Sequence, residues 1–379
     1  MMLELNEQQK MIRNMVRELS KKEIAPRASD LDENHKFPHE ALEKMAKLGI
    51  LGTIIPKEYG GAGLDNVTYA VLVEEISRAC ASTGVVTSVH NSLTAWPIMT
   101  YGSEELKKKY LPILARGEKI GAFGGTEPNA GSDLGAMETT AVLEGDKYII
   151  NGSKTFITSG PEAGIIIVFA VTDKEAGARG ISAFVVESDF KGYAVGSIFD
   201  KMGINGALNS ELIFKDMEVP KENLLGKEGN GFKIALATLD GGRIGIAAQA
   251  VGIAQAALDE SIEYSKQRQQ FGRPLAKFQA IQWMIAEMAT KVEAARFLVL
   301  KASYVKDQGK RYSMEAAMAK LFASEAASWC ADKAIQVHGG YGYIKEYPVE
   351  RLYRDARITQ IYEGTSEVMK MVIAGSLLR

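Results

Sequence analysis

Tyr148-Ile149-Ile150-Asn151-Gly152-Ser153-Lys154-Thr155-Phe156-Ile157-Thr158 is a run of β-branched and aromatic residues set inside a chain otherwise patterned for helix. Asn-Gly supplies the positive φ angles of a tight two-residue turn, so the stretch predicts a hairpin closed at Asn151-Gly152. Ile165 to Val171, Ile181 to Glu187 and Glu211 to Val219 follow as strands with no helical spacing between them. A small, mostly antiparallel β domain is the reading.

The pattern changes on both sides of this region. C-terminal to it, Ile281, Ile285, Met288, Val292, Ala295, Val299 and Ala302 recur by steps of four and three, the seam of a packed helix. Met314, Ala317, Leu321, Ser324, Ser328, Ala331 and Ile335 make a second row of smaller residues, and no proline occurs between Pro274 and Pro348. Long antiparallel helices in a bundle are expected. On the N-terminal side, Met11, Met15 and Leu19, with Ile12 and Val16 beside them, form a helical stripe in a charged segment. Gly60-Gly61-Ala62-Gly63 marks a turn. The fold class is therefore α+β: an N-terminal α-helical domain over 1–118, a middle β domain over 119–225, and a C-terminal bundle of long helices over 226–379.

At 379 residues the chain exceeds what one core usually serves. A formal net charge of -2 with no block of like charge points away from nucleic acid or another polyanion. Cys80 and Cys330 belong to no C-x-x-C pair and are read as buried free thiols. Ala79 to Ser103 carries no Asp, Glu, Lys or Arg but is too polar for a membrane span; a buried helical region beside a ligand site fits better. The opening residues, charged from the start, do not read as a signal peptide, and a cytoplasmic location is expected.

No G-x-G-x-x-G follows a strand, and there is no phosphate-binding G-x-x-x-x-G-K-[ST] loop. His35 and His39 are separated by Pro38, so a shared helical metal face is not expected and no metal site is assigned. Two segments carry chemistry. Phe123-Gly124-Gly125-Thr126-Glu127-Pro128-Asn129-Ala130-Gly131-Ser132-Asp133 has glycines and hydroxyls able to cradle a polar ring system; by local chemistry alone it is equally an ordinary surface loop. Ile361-Tyr362-Glu363-Gly364-Thr365-Ser366-Glu367 puts an acid before glycine, either facing a cavity or lying on the surface beside Arg357.

Together with Glu74-Glu75-Ile76-Ser77-Arg78-Ala79-Cys80-Ala81-Ser82-Thr83-Gly84, Asn151-Gly152-Ser153-Lys154, Leu239-Asp240-Gly241-Gly242-Arg243, Arg268-Gln269-Gln270-Phe271-Gly272 and Gln336-Val337-His338-Gly339-Gly340, these segments run in one order along the whole chain. In this the chain resembles the acyl-CoA dehydrogenase family, and within it the short-chain, butyryl-CoA type. The resemblance implies FAD and the three-domain fold just described, with a middle β domain of sandwich or barrel-like form and a C-terminal four-helix bundle. It implies that Phe123, Thr126 and Ser132 lie along FAD, and that Phe156, Ile157 and Thr158 lie against its ring, Phe156 standing where many members have Trp. Arg268, Phe271, Gln279 and the stretch Gln336, Val337, His338, Gly339 and Gly340 match FAD contacts from a neighbouring subunit, and Thr365, Ser366 and Glu367 match a further one. A homotetramer is therefore implied. Ser132, Asp240, Gly241, Gly242, Arg243 and Gly364 match contacts to the acyl-CoA substrate.

By the same resemblance Glu363 is the base that takes the α-proton. Burial on binding would raise its pKa, and hydrogen bonds from its own backbone amide and a flavin ribityl hydroxyl would stabilise the enolate-like thioester oxygen. The flavin N5 takes the β-hydride, the product is a trans-2-enoyl-CoA, and electrons pass to electron-transferring flavoprotein, as in fatty acid β-oxidation. Isovaleryl-type members carry the base on the segment matched by Asp240 to Arg243; here that position is Gly242. Glutaryl-type members carry an Arg near Gly84, absent here, so a neutral acyl chain is expected. His90 is read as a hydrogen-bonded core histidine in preference to one approaching the acyl end. Gly203 to Ser210 lacks the Arg and Ser/Thr cluster of many members, without explanation at this level. An oxidase or enoyl-CoA reductase on this scaffold, and a non-catalytic binding protein, are the alternatives.

Overall fold

The helical spacing of the C-terminal third is realised as three long helices in a computed structural model that describes residues 4–378. The reading of the N-terminus begins in residues outside that range. The helices in chain order are α1 (Glu7–Leu19), α2 (Ala28–Glu33), α3 (His39–Lys47), α4 (Asn66–Ala79), α5 (Ala81–Ser88), α6 (Trp96–Tyr101), α7 (Glu104–Ala115), α8 (Gly231–Gln267), α9 (Gln279–Asp307), α10 (Ser313–His338), α11 (Val349–Arg357) and α12 (Ser366–Leu377). The strands are β1 (Ile120–Gly124), β2 (Thr140–Glu144), β3 (Lys147–Thr158), β4 (Ala163–Val171), β5 (Ile181–Glu187), β6 (Tyr193–Ile198), β7 (Asn209–Pro220), β8 (Leu224–Leu225), β9 (Gln269–Gln270) and β10 (Arg273–Pro274).

The main sheet runs β6-β7-β3-β2-β4-β5-β8, with β1 parallel beside β4. Strand β4 explains its own composition. Ile165, Ile167 and Phe169 face a core shared with α7, while Ile166, Val168 and Ala170 face the core within the sheet. A strand buried on both faces has no polar side to show, hence the unbroken apolar run. A further core joins α4 and α5 to the bundle through Ile76, Val85, Ile244, Val251, Val292 and Ala323. Helix α8 lies centrally, buried almost continuously from Gly241 to Leu258.

Three expectations are corrected. The hairpin closes at Gly145-Asp146, with Gly145 at φ +63°, and β3 runs unbroken through Asn151-Gly152. Asn151-Gly152 is instead where β3 bulges against β7: Gly152 has φ +145°, and Asn151 exchanges two hydrogen bonds with Asp216. On α1 the buried face is Gln9, Val16 and, just beyond its end, Ser20, while Met11 and Met15 point outward. On α10 Ala317, Ser324 and Ala331 of the expected row are buried, but so are Ala316, Lys320, Ala323, Ala327, Cys330 and Ala334, a wider face than that row, because α8, α9, α11 and α12 all cover this helix. The segment Gly203 to Ser210 packs inward: Ile204 and Ala207 are buried, the Ile204 amide donates to Asp355 at 2.5 Å, and Asn205 donates to Asp32 at 3.0 Å.

As expected, Cys80 and Cys330 are free and buried, and the uncharged stretch from Ala81 to Ala95 is a buried helix that loosens into a π-helical turn over Val89–Ala95. His35 and His39 are largely exposed, beside Asp200 and Glu162 respectively. No helix among the described residues is long and apolar enough to cross a membrane, and none of their His, Cys, Asp and Glu side chains form a metal-binding group.

Candidate active site

Between α11 and α12 the chain makes a tight turn at Ile361–Gly364, in which Glu363 has φ +53° and Gly364 φ +102°. Such a conformation in a glutamate costs on the order of 1–3 kcal/mol and persists only when its surroundings hold it. They do so from three sides. The Tyr362 hydroxyl donates to Gln249 of α8, whose amide donates to the Ala81 carbonyl at 3.0 Å. Arg243 of α8 donates to the Glu363 carbonyl at 3.4 Å and to Asp240 at 2.5 Å, and Asp240 in turn accepts from Ser313 at 2.5 Å. Lys320 of α10 donates to the Gly364 carbonyl at 2.6 Å. Thr365 then caps α12 through the Val368 amide.

The Glu363 carboxylate points at α8, not at Arg357, which is bonded to Gln360 at 2.9 Å. A methyl group built on Gly242 would overlap Glu363 Oε2 and crowd Leu93. Glu363 Oε2 is buried without a hydrogen-bond partner. Burial pushes this carboxyl up to about 8, against the pull of Lys320 and Arg243. The group is thus a buried carboxyl tuned to titrate near neutral pH and left free of hydrogen bonds to Oε2, as a general base requires.

The sequence reading did not single out Lys306. Its ammonium lies over the Trp96 and Tyr312 rings at 5.3 and 5.5 Å, close to Gly241, and burial lowers it to about 8. Nor did it single out Lys320, although the row that placed Leu321 and Ser324 on α10 passes beside it.

The loop from Phe123 to Asp133 leaves the end of β1, and its anchor is a buried ion pair. Lys154 of β3 is fully buried and donates to Glu127 at 2.6 Å, and Glu127 also accepts from the Glu138 and Thr139 amides at 2.5 and 3.1 Å. Burial brings Lys154 down to about 8 despite its partner. The Thr155 amide donates to the Thr126 carbonyl at 2.9 Å, so the loop and the Phe156 segment are tied together. Thr126 is half-buried, and Ser132 is exposed. Phe156 has φ +57° and is 64 % exposed, against Phe199 at 4.9 Å. The Ile157 side chain points into the sheet core, so only its backbone is available to a ligand on the Phe156 side. The Thr158 hydroxyl accepts from Asn209 at 3.3 Å.

The remaining segments gather on the bundle. Arg268 lies over the Tyr341 ring at 5.4 Å, and Phe271 is 93 % exposed. Gln279, Gln336, Gly339 and Gly340 are exposed, but Val337 and His338 are buried, His338 stacking on Tyr264 at 4.1 Å. His90 is the core histidine preferred in the sequence reading. Its Nδ1 accepts from the Gly121 amide at 3.1 Å and its Nε2 meets the Leu114 carbonyl at 3.0 Å, so both nitrogens are used, and burial lowers it to about 4.

Buried polar atoms without partners test the fit of a cofactor. Ser159 Oγ, Asn209 Oδ1 and Ser210 Oγ are such atoms, all near Thr158, and Ser366 Oγ is another at the start of α12. Unpaired buried hydroxyls and amides in a native protein call for an external partner. With the exposed Phe156 ring beside the first group, these residues fit a large polar aromatic cofactor such as FAD.

Comparison with known proteins agrees with this geometry. The acyl-CoA dehydrogenase N-terminal, middle and C-terminal domain models match residues 6–118, 122–217 and 229–378. The chain belongs to the acyl-CoA dehydrogenase family of FAD-dependent oxidoreductases. It is 54% identical, over 99% of both chains, to the short-chain specific acyl-CoA dehydrogenase of Clostridium acetobutylicum. Among solved structures it matches butyryl-CoA dehydrogenase from Megasphaera elsdenii with TM-score 0.98 and 48% identity, covering 100% of both chains. It also matches a chain in a structure of the electron transferring flavoprotein of Acidaminococcus fermentans, with TM-score 0.99 and 54% identity over 100% of both.

Proposed function

We propose that this acyl-CoA dehydrogenase acts on short, neutral acyl-CoA thioesters such as butyryl-CoA, with Glu363 as the base that removes the α-proton. The observation that carries the reading is the meeting of Glu363 with Gly242. The carboxylate occupies space that a side chain on α8 would otherwise fill, and its Oε2 is buried and unengaged.

The reaction follows from what the residues do. Asp240, Arg243 and Ser313 form a fixed polar edge beside the carboxylate, along which the thioester arm is held. The Glu363 amide donates to no group among the described residues and is free to bond the thioester oxygen, stabilising negative charge as the α-proton leaves. Glu363, raised to about 8, is a stronger base than an ordinary carboxylate and so better matched to that weakly acidic proton. FAD, when bound, supplies the acceptor for the β-hydride. Phe123, Thr126, Ser132, Phe156, Thr158 and the backbone of Ile157 would hold it, with Thr365, Ser366 and Glu367. Arg268, Phe271, Gln279 and the exposed residues of 336–340 would complete the site of a neighbouring subunit in a homotetramer.

A neutral chain is supported by Leu93, which lies beside Gly242 and the Glu363 carboxylate within the stretch Ala81 to Ala95, buried throughout and without Asp, Glu, Lys or Arg. The short-chain and butyryl-CoA relatives support the length, and the flavoprotein structure supports electron-transferring flavoprotein as the acceptor. Glu363→Gln tests the assignment. The variant should retain FAD and bind butyryl-CoA while the substrate no longer bleaches the flavin; undiminished bleaching would overturn it.

A further inference from the structure

We propose that Lys320 is the counter-charge of the catalytic carboxylate: a positioning residue that favours the ionised form of Glu363 while leaving its oxygens free. The inference rests on Glu363 being the base.

Lys320 is fully buried on α10, an unusual place for an ammonium unless it is paired. Its one hydrogen bond among the described residues, at 2.6 Å, goes to the Gly364 carbonyl. No carboxylate among the described residues lies within ion-pair distance of it, and Glu363 is nonetheless a principal charge acting on it. The arrangement separates two tasks. A direct ion pair would stabilise the carboxylate but would also occupy the oxygen that must take the proton. A cation bonded to the next carbonyl acts through space in a low-dielectric setting, where charges couple strongly, and the same bond fixes the strained turn.

The other groups around the carboxylate do not replace it. Arg243 of α8 is also positive, but Asp240 is paired to it. Tyr69 of α4 and Tyr362 of the turn are neutral phenols, their ionisation driven up by burial. Glu367 of α12 adds negative charge near Lys320, and Leu93 is apolar. Lys320 is therefore the positive charge facing Glu363 that no carboxylate neutralises directly.

Two substitutions in the FAD-loaded enzyme separate charge from hydrogen bond. Lys320→Gln keeps a donor for the Gly364 carbonyl and loses the charge; Lys320→Arg keeps the charge. The Glu363 carboxyl band in the infrared spectrum, identified by its loss in Glu363→Gln, gives the titration midpoint independently of turnover. In Lys320→Gln the midpoint should rise by about one pH unit or more, and in Lys320→Arg it should stay near wild type. Flavin bleaching by butyryl-CoA at pH 7 should then fall about tenfold in Lys320→Gln and recover as pH rises past the new midpoint. An unshifted midpoint in Lys320→Gln, or an equal loss of bleaching at every pH, would overturn the proposal. A shifted midpoint with bleaching unchanged would leave Lys320 as the counter-charge and overturn Glu363 as the base. Should Lys320→Gln lose FAD, Lys320→Met with the same infrared titration of the apoprotein replaces it, read by the same criterion.

Discussion

Gly242 and Glu363, far apart in sequence, are directed at one point in space. A helix position without a side chain and a turn with a carboxylate are two halves of one feature, because the carboxylate fills the volume the glycine leaves. Gly242→Ala should therefore push the carboxylate aside while leaving the polar edge of Asp240 and Arg243 in place. A misplacement of about an ångström at a reacting group costs on the order of 100-fold in rate. That loss is expected in the rate of flavin bleaching with FAD content unchanged, and stopped-flow absorbance would show it; bleaching at the wild-type rate would mean that the overlap is relieved elsewhere. The sequence displayed both residues, and the resemblance assigned the role. Their meeting was not legible, since nothing local in Asp240-Gly241-Gly242-Arg243 says which side of α8 faces the turn.

Strand β3 shows how an element can contradict a strong local signal. Asn-Gly favours a tight turn, but β3 pairs with β2 on one side and β7 on the other, and a turn at Asn151-Gly152 would end both ladders midway. The cost of leaving those backbone groups unpaired exceeds the local preference, and the glycine is used for a bulge. Continuity of β3 also delivers Lys154 to Glu127, which anchors the loop beside Thr126. Both residues stand in segments that carry the family resemblance, yet their pairing depends on a register that the sequence does not state. Glu127→Gln leaves Lys154 buried opposite a neutral group and should destabilise the fold by about 4 kcal/mol, with weaker retention of FAD. Glu127→Leu combined with Lys154→Met should restore most of the stability but not the loop geometry. Urea denaturation and flavin absorbance after gel filtration distinguish the two effects.

Across the whole molecule, Arg354 of α11 ties three distant parts of the chain together. It bonds Asp32 of α2 at 2.6 Å, Glu350 of its own helix at 2.7 Å, and the Met202 carbonyl at 3.2 Å, next to the inward-packed Gly203 to Ala207 segment. Asp32 is nearly buried and also accepts from Asn205. Arg354→Met should cost about 3 kcal/mol, most of it from the stranded Asp32 charge, and an added Asp32→Asn should recover part of the loss in thermal unfolding. Here the departure from the family pattern at Asn205 to Ser210 gains a physical account: Asn205 and the Ile204 amide bond acidic groups of α2 and α11, so the segment serves as an internal tie.

By itself the sequence determined the alternation of helical and strand regions and the burial of the uncharged stretch after Ala79, because periodicity and composition reflect which surfaces must leave water. Its motifs, through their order along the chain, determined the family. The tertiary structure alone decided where the hairpin closes, how wide a face of α10 is buried, that Glu127 meets Lys154, and that Glu363 fills the space beside Gly242 with Lys320 behind it. Those outcomes depend on register and on contacts between residues far apart in the chain, and neither is encoded in any local window.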